Sequence, residues 1–172
     1  MRVLVSAASR HGSTEEIARA IARVLARRGH ETAVVPPEGV RSLDSYDAVV
    51  LGSAVYAGHW LAPATDLVDR AADGFSGIPV WLFSSGPIGD PERKLVRQMA
   101  VDPVDLPALR EKTGARGHRM FAGRLDRRDL PLAQRASLTL VRGLEGDFRD
   151  WAAIEDWGGE IAEELAEVRS AS

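Results

Sequence analysis

The residues with the clearest chemical potential stand near the N-terminus, in the stretch Ser9-Arg10-His11-Gly12-Ser13-Thr14 (loop one). This stretch follows the apolar run 3–7 and leads into a helical pattern that starts near Thr14. Such a turn offers backbone N–H groups and hydroxyls to a ligand, and the helix N-terminus adds a partial positive charge. Because Ser13 and Glu16 have the spacing of a capping box, Ser13 is predicted to be the N-cap. The sequence therefore predicts an anion site suited to a phosphate group.

Two further loops of small, hydroxyl and glycine residues follow later apolar runs. Loop two is Gly52-Ser53-Ala54-Val55-Tyr56-Ala57-Gly58-His59-Trp60, and loop three is Ser84-Ser85-Gly86-Pro87-Ile88-Gly89-Asp90. In an open doubly wound sheet, the loops at the carboxyl ends of the strands line one crevice, and ligands bind there. Because three loops converge in this way, we expect a ligand site rather than an isolated helix cap. Loops two and three suit a flat aromatic ring more than a second phosphate.

The apolar runs alternate with amphipathic stretches, which indicates a parallel sheet with helices on both sides. Strands are predicted at 3–7, 32–35, 48–53, 78–83 and 119–123. Helices are predicted from about Thr14 to Gly29, after Pro63, and at 92–100, 106–113, 132–141 and 154–168. Residues 146–151 are predicted to form a loop, and the twin glycines Gly158-Gly159 of the last helix indicate close packing there.

The composition is that of an ordinary globular domain. The chain has 172 residues, is 45% hydrophobic and 27% charged, and carries a net charge of −3. We expect one domain over 1–172, with a surface elaboration at about 91–117. The absence of cysteine excludes disulfides, thiolate metal sites and Cys-ligated iron–sulfur clusters, and no metal site is predicted. Without a signal peptide, a transmembrane run or a strong positive charge, we expect a cytoplasmic protein with no transmembrane segment and no nucleic-acid partner.

Several nucleotide- and phosphate-handling classes are excluded by residue type. A receiver domain needs acidic residues where this chain has Ser9-Arg10 and Ser53-Ala54. The Gly-x-Gly-x-x-Gly motif of dinucleotide binders, the Gly-Lys-Ser/Thr motif of P-loop NTPases and the Gly-x-Ser-x-Gly hydrolase elbow are also absent.

The pattern Ser-x-x-Gly-Ser-Thr of loop one resembles the phosphate loop of flavodoxins, Thr/Ser-x-Thr-Gly-x-Thr, with His11 in place of a hydroxyl residue. Within that class the chain is most similar to the menaquinone-dependent, flavodoxin-like protoporphyrinogen dehydrogenases. The residues that carry this similarity are 8–14, Gly58-His59-Trp60, Ala122-Gly123-x-Leu125, Asp150-Trp151 and Asp156-Trp157. The resemblance implies a flavodoxin-like α/β fold, a doubly wound five-stranded parallel sheet of order 2-1-3-4-5 with helices on both faces. It also implies FMN as the cofactor.

The resemblance also implies a role for each loop. The hydroxyls of Ser9, Ser13 and Thr14 would bind the FMN phosphate, Gly12 would let the backbone approach, and Arg10 or His11 would add charge at the rim. Tyr56 and Trp60 are the candidates to stack on the flavin ring, and 86–89 would contact its edge. The full predicted cofactor-binding set is Ser9, Arg10, His11, Gly12, Ser13, Thr14, Ala54, Val55, Tyr56, Gly58, His59, Trp60, Ser85, Gly86, Pro87, Ile88 and Gly89. No catalytic residue is assigned.

Two functions stay open at this point. One is an FMN-dependent oxidoreductase of the protoporphyrinogen dehydrogenase type, which would oxidise a bulky small-molecule substrate and pass electrons to a quinone. The other is a flavodoxin-type electron carrier that docks redox partner proteins and has no small-molecule substrate. The mixed charge of the cover at 124–142 places the porphyrin substrate, more than the flavin, in question. The oligomeric state is open, with a homodimer as one alternative.

Overall fold

The computed structural model describes residues 1–86, 101–125 and 146–171. Its main sheet has five parallel strands in the order β2-β1-β3-β5-β6, with a short strand, β4, paired antiparallel to β3. A separate two-stranded sheet is formed by β7 and β8. The strands are β1 (Arg2–Ala8), β2 (Glu31–Val34), β3 (Ala48–Tyr56), β4 (His59–Trp60), β5 (Val80–Ser85), β6 (Gly117–Phe121), β7 (Arg124–Leu125) and β8 (Gly146–Asp147). Counted over the parallel strands alone, the order is 2-1-3-4-5, which confirms the predicted fold.

Within the described ranges, four helices cover the sheet: α1 (Ser13–Arg27), α2 (Ala62–Arg70), α3 (Leu106–Thr113) and α4 (Trp151–Ala171). Short 3₁₀ turns lie at Pro37–Gly39 and Ala72–Phe75. Helix α3 has the predicted bounds, and Pro63 lies in the first turn of α2 as predicted. The helices predicted at 92–100 and 132–141 lie outside the described residues. Across the described ranges, no helix has the length and apolar composition that a membrane crossing requires.

The alternation of side chains along the strands produces two hydrophobic cores. On one face, Val3 and Val5 of β1 pack with Ile17 and Ile21 of α1 and with Ile161 of α4. The opposite face buries residues of β1, β3 and β5 against α2 and α3, including Leu4, Leu51, Leu67, Leu82 and Leu109. Burial of each such side chain contributes about 1.5–3 kcal/mol. Apolar residues on both faces therefore place β1 and β3 at the centre of the sheet.

Two glycines permit close approach of neighbouring elements. A Cβ atom added at Gly52 in β3 would lie 2.2 Å from Cζ of Phe83, so the Phe83 ring occupies that space. At Gly158 in α4, a Cβ would lie 3.1 Å from Cβ of Val24 in α1. The close packing predicted from the twin glycines is therefore confirmed at Gly158.

The prediction of a loop at 146–151 is partly wrong. Gly146 and Asp147 form β8, which pairs with β7 just beyond the carboxyl end of β6. Helix α4 then begins at Trp151, three residues earlier than predicted. Because the partner of β8 lies at 124–125, far away along the chain, the local pattern carried no sign of this pairing. The β7–β8 ribbon brings Asp147 and Arg149 toward loop one.

Candidate functional site

A crevice opens at the carboxyl edge of the sheet, where β1, β3, β5 and β6 end. Its walls come from all three predicted loops and from the residues after β6. The lining residues are Ser9, His11, Ser13, Thr14, Ala54, Val55, Tyr56, Ser85, Gly123 and Arg124. Eight of these belong to the predicted cofactor-binding set, and Gly123 and Arg124 do not. The three loops thus meet in one place, as their positions after parallel strands require.

Loop one reaches α1 through a glycine turn. Helix α1 begins at Ser13, and Gly12 occupies the N-cap position with a φ of 80°. Glycine adopts this left-handed conformation without the cost that a Cβ imposes. The first N–H to bond back into the helix is that of Glu16, which donates to the Gly12 carbonyl at 3.0 Å. Of the N–H groups before Glu16, that of Thr14 donates to Ser9 Oγ at 3.3 Å. Those of Ser13 and Glu15 are groups that a helix N-terminus can offer to a ligand.

The prediction that Ser13 is the N-cap of a capping box is wrong. No side chain caps α1 at the Gly12 position, and Ser13 is already helical. The carboxylate of Glu16 does not turn back to the loop but accepts a hydrogen bond from Arg149 at 2.7 Å. A charged donor offers the carboxylate a stronger hydrogen bond than a neutral backbone N–H does.

Two hydroxyls of loop one, those of Ser9 and Ser13, differ in their contacts within the chain. Ser9 Oγ accepts a hydrogen bond from the Thr14 N–H at 3.3 Å, which leaves its own proton for donation. Ser13 Oγ is buried and has no hydrogen-bond partner, although Ser13 lines the crevice. Because this hydroxyl has no partner in the chain, it could donate to a ligand in the crevice without breaking an existing hydrogen bond. Hydroxyl and N–H donors without a carboxylate on the same loop fit a phosphate group.

Arg149, which supports loop one from outside the crevice lining, was also absent from the predicted set. Its side chain is 2% exposed and lies behind the first turn of α1. The guanidinium makes a bidentate pair with Asp147, through Nε at 2.7 Å and Nη2 at 2.6 Å. Its Nη1 donates to Glu16 at 2.7 Å and to the Ser13 carbonyl at 3.2 Å. Arg149 therefore links the β7–β8 ribbon to the start of α1 and fixes loop one from behind.

The charges of this cluster stabilise each other. Hydrogen bonds from Arg149 hold the pKa of Asp147 below its usual value, against the opposing effect of burial. Burial disfavours the charged form of Arg149, but hydrogen bonds to Asp147 and Glu16 outweigh it and raise the pKa of Arg149. The pair therefore stays ionised at neutral pH. A buried cation without a paired anion is strongly destabilising, so Arg149 needs its two carboxylate partners, Asp147 and Glu16.

Arg124 brings a second guanidinium to the cluster, this time at the crevice itself. It follows Gly123 at the carboxyl end of β6, and its Nη1 lies 3.7 Å from Oε1 of Glu16. The side chain is 36% exposed. Its position after the fifth parallel strand was a usable signal, because that strand end also faces the crevice.

Loop two forms a tight hairpin, in which Tyr56 lies at the crevice and Trp60 is buried in the core. Ala57 and Gly58 both have positive φ, 50° and 82°, and connect β3 to β4 as a two-residue turn. Tyr56 lies at the crevice with its ring half-buried, and the Arg10 guanidinium lies 4.3 Å from the ring centroid. Burial raises the pKa of Tyr56, while the charge of Arg10 opposes this rise. Tyr56 remains the stacking candidate of loop two.

The stacking role predicted for Trp60 is corrected by its burial. Trp60 is 5% exposed, packs in the core beside α2, and donates from Nε1 to Ser84 Oγ at 2.8 Å. The hairpin folds Trp60 back beside Val55, and this pairing turns its ring away from the surface. Ser84 Oγ also lies 2.8 Å from Nε2 of His118, whose pKa is lowered by burial. Trp60 therefore belongs to a buried polar chain beneath the crevice.

Gly58 and His59 lie at the far side of the hairpin and do not line the crevice. His59 Nδ1 lies 2.9 Å from Oδ1 of Asp105, and the Trp60 N–H donates to Oδ2 of Asp105 at 2.8 Å. The Gly58 carbonyl accepts from the Val104 N–H at 2.9 Å. These contacts tie the hairpin to the residues before α3 and hold loop two in place.

Loop three contributes Ser85 to the crevice. Gly86, the next residue, has a φ of 145° and donates its N–H to the Phe121 carbonyl at 2.9 Å. The remaining predicted residues of this loop, Pro87, Ile88 and Gly89, lie outside the described residues. Their proposed contact with the edge of a flavin ring stays a prediction.

A second cavity, of about 390 Å³, lies on the other side of loop one. It is shared by the end of β1, the turn after β2 and the start of α2, and Arg10 and Ser9 form part of its wall. Of the two basic residues predicted at the rim, Arg10 thus faces this cavity and His11 faces the crevice. Among the described residues, no group of histidines and carboxylates is arranged to hold a metal ion.

Fold and site together define a doubly wound α/β protein with a crevice where the loops at the carboxyl ends of its parallel strands meet. The chain belongs to the Flavodoxin domain family, whose model matches residues 4–151. FMN, the cofactor predicted from the loops, is the cofactor of this family. A comparison with curated proteins found no match.

Solved structures show the same fold at low sequence identity. A flavodoxin from the domain Archaea superposes with a TM-score of 0.65 at 16% identity, covering 96% of this chain and 99% of that one. Oxidised flavodoxin 1 from Bacillus cereus gives a TM-score of 0.59 at 18% identity, covering 95% and 98%. The flavodiiron core from Synechocystis gives 0.61 at 17% identity, covering 98% of this chain and 36% of that one.

Proposed function

We propose that this protein binds FMN non-covalently in the crevice and uses it to transfer electrons to and from redox partner proteins. Bound FMN supplies one- and two-electron redox chemistry. The observation that carries the proposal is the Ser13 hydroxyl, buried without a partner at the N-terminus of the 15-residue helix α1. A phosphate oxygen is the acceptor that this hydroxyl and the neighbouring N–H groups would share.

Each wall of the crevice has a part in holding the cofactor. Ser9, Ser13 and Thr14 would donate to the phosphate, while Gly12 keeps the backbone close to it. Tyr56 would stack on the flavin ring, with Arg10 already on its other side at 4.3 Å. The buried Arg149 fixes the loop so that the donors are in place before FMN arrives.

The test is FMN binding by Ser13→Ala, measured through quenching of flavin fluorescence. Loss of a hydrogen bond to a charged group costs about 1.5–3 kcal/mol, so the Kd should rise roughly 10- to 100-fold. The stability of the flavin-free protein should not fall, because the hydroxyl has no partner in the chain. The control is Ser42→Ala, since Ser42 is exposed and bonds only the nearby Asp44 N–H. Absence of micromolar FMN binding by the unaltered protein, or an unchanged Kd in Ser13→Ala, would refute the proposal.

A second candidate is an oxidoreductase of the protoporphyrinogen dehydrogenase type, with a quinone as electron acceptor. The similarity of residues 8–14 and 58–60 to those enzymes suggested it, and the cavity beside loop one favours it. At about 390 Å³ this cavity lies in the range of small-molecule sites and shares Ser9 with the crevice. Anaerobic assay of protoporphyrinogen with a menaquinone analogue, followed by porphyrin fluorescence, separates the two functions. Sustained turnover favours the enzyme, and FMN binding without turnover favours the carrier.

A further inference from the structure

A buried chain of hydrogen bonds joins loop two to β6 beneath the crevice. Trp60 Nε1 donates to Ser84 Oγ at 2.8 Å, and Ser84 Oγ lies 2.8 Å from Nε2 of His118. The other ring nitrogen of His118, Nδ1, lies 3.6 Å from Oδ1 of Asp102. Ser84 is fully buried and the His118 side chain is 5% exposed, so a substrate in the crevice does not reach the hydroxyl. The chain therefore acts on the structure of loop two and not as a nucleophile with its base.

Trp60 fixes the direction of this chain. An indole N–H can only donate, so the Ser84 hydroxyl accepts from Trp60 and gives its own proton to another acceptor. Among the described residues, the acceptor within reach of this hydroxyl proton is Nε2 of His118. His118 is therefore neutral, with its own proton on Nδ1 facing Asp102. The ring must stay neutral for every group of the chain to be paired.

The charges around His118 agree with a neutral ring. Burial lowers the pKa of His118, the negative charge of Asp102 opposes this effect, and the charge of Arg110 in α3 adds to it. Asp102 is 69% exposed, so solvent screens its attraction for a protonated ring. The two strands that contact the ring, β4 and β5, contribute the neutral groups of Trp60 and Ser84.

The same hairpin is anchored at a second point, through its backbone. The Trp60 N–H donates to Oδ2 of Asp105 at 2.8 Å, and Oδ1 of Asp105 lies 2.9 Å from Nδ1 of His59. The His59 side chain is 56% exposed, so this second anchor lies at the surface. Trp60 is thus held through its indole by Ser84 and through its backbone by Asp105, next to Tyr56 at the crevice.

We propose that His118 is a pH-sensitive positioning residue, whose protonation releases the Trp60 indole from Ser84 and loosens the hairpin that carries Tyr56. A protonated ring donates from Nε2 to Ser84 Oγ, which leaves the Ser84 proton without an acceptor in the described part of the chain. Because an unpaired buried hydroxyl is costly, the Ser84 side chain turns to another acceptor and gives up the bond from Trp60. The effect on the flavin rests on the proposed function, in which Tyr56 is the stacking residue.

The test follows the indole N–H signal of Trp60 in the flavin-free protein by proton NMR, between about pH 8 and about pH 5, with the His118 ring signals recorded in parallel. The Trp60 signal should move upfield as its hydrogen bond is lost. Its midpoint should coincide with that of His118 and lie below 6.5, the usual pKa of a histidine. Trp60→Phe identifies the signal by its disappearance.

Matched variants separate the two anchors of the hairpin. His118→Gln and Ser84→Ala should each abolish the movement of the Trp60 signal. His59→Gln should leave it in place, since His59 reaches Trp60 only through Asp105.

FMN binding is the second readout. As the pH falls from about 7.5 to about 5.5, the Kd of the unaltered protein should rise about 2- to 10-fold more than that of His118→Gln, the equivalent of one hydrogen bond. Comparison of the two proteins at each pH cancels the titration of the FMN phosphate itself.

The outcomes separate this inference from the proposed function. Absence of FMN binding at every pH would refute the proposed function and leave the Trp60 measurement unaffected. A Trp60 signal that stays in place while His118 titrates, or that moves equally in folded His118→Gln, would overturn the inference. So would a movement that is lost in His59→Gln and kept in His118→Gln, or an FMN Kd that changes equally with pH in the unaltered protein and in His118→Gln. Urea unfolding establishes that each variant is folded, and if His118→Gln does not fold, the midpoints of Trp60 and His118 in the unaltered protein decide.

Discussion

Replacement of Arg149 by methionine should destabilise the protein far more than loss of an exposed arginine does. Arg149→Met keeps much of the side-chain volume and removes the guanidinium. It breaks the bidentate pair with Asp147, the bond to Glu16 at 2.7 Å and the bond to the Ser13 carbonyl at 3.2 Å. It also removes the contact of the guanidinium with the Trp151 ring, 4.4 Å from its centroid.

The expected cost follows from the burial of the arginine and the exposure of its partners. Removal of one partner from a buried ion pair costs about 3–5 kcal/mol. Asp147 and Glu16 are each 42% exposed, so water replaces part of what they lose. The arginine–aromatic contact contributes about 0.5–1 kcal/mol. Because the substitution removes the buried charge itself, no uncompensated buried charge remains, and the cost should be lower than that range. We therefore expect the free energy of unfolding to fall by about 2–4 kcal/mol.

Urea unfolding at neutral pH, monitored by circular dichroism, measures this loss. With an m value of about 2 kcal/mol/M, the midpoint should fall by roughly 1–2 M. The matched control is Arg119→Met, whose ion pair with Glu160 is 2.9 Å long but exposed on both sides, at 49% and 56%. That variant should lose less than about 1 kcal/mol. Equal losses in the two variants would refute the reasoning, because burial would then have no bearing on the contribution of the ion pair.

The same unfolding measurements at acidic pH test whether Asp147 is the partner of Arg149. The pKa of Asp147 is lowered in the folded state, mainly by hydrogen bonding from Arg149. Its stabilising contribution is therefore present above its unfolded pKa of about 3.9 and is lost as the pH falls through the lower folded value. The difference between the unaltered protein and Arg149→Met should narrow below about pH 4. A difference that stays constant to pH 2 would contradict the role of Asp147.

Two further predictions concern packing and pH. Gly52→Ala should lower the free energy of unfolding by about 1–3 kcal/mol, because the added Cβ meets the Phe83 ring at 2.2 Å. Gly117→Ala on β6 is its control, with 3.6 Å to the nearest atom, and a thermal melt in which both variants lose equally would contradict the packing argument. Burial lowers the pKa of His118, so the unfolded state binds more protons and stability should fall as the pH drops below about 6.5. His118→Gln should flatten part of that fall, although it also alters the contact with Ser84, and an unchanged slope between pH 5 and 7 would count against this effect.

The placement of the predicted site residues shows where local patterns suffice. Loop one, Tyr56 and Ser85 meet in the crevice because each follows a parallel strand, and the carboxyl ends of such strands share one edge. Trp60 also follows a strand, yet it is buried, since the β3–β4 hairpin reverses the chain before it. Trp157 packs against Phe83 and Phe121, with ring centroids 6.2 Å and 5.6 Å away. Whether a loop aromatic faces a ligand or the core depends on the turn, which composition alone did not disclose.

The sequence by itself determined the order of strands and helices, the parallel sheet and the edge at which the three predicted loops meet. These follow from apolar periodicity and from the residues that interrupt it, and both are local properties of the chain. The tertiary structure alone decided what holds loop one. Glu16 and Arg149 meet across 133 residues of sequence, and the capping box that Ser13 and Glu16 suggested gave way to that contact. A buried guanidinium needs charged partners wherever the fold provides them, so a long-range ion pair displaced a short-range hydrogen bond, and the Ser13 hydroxyl has no partner in the chain.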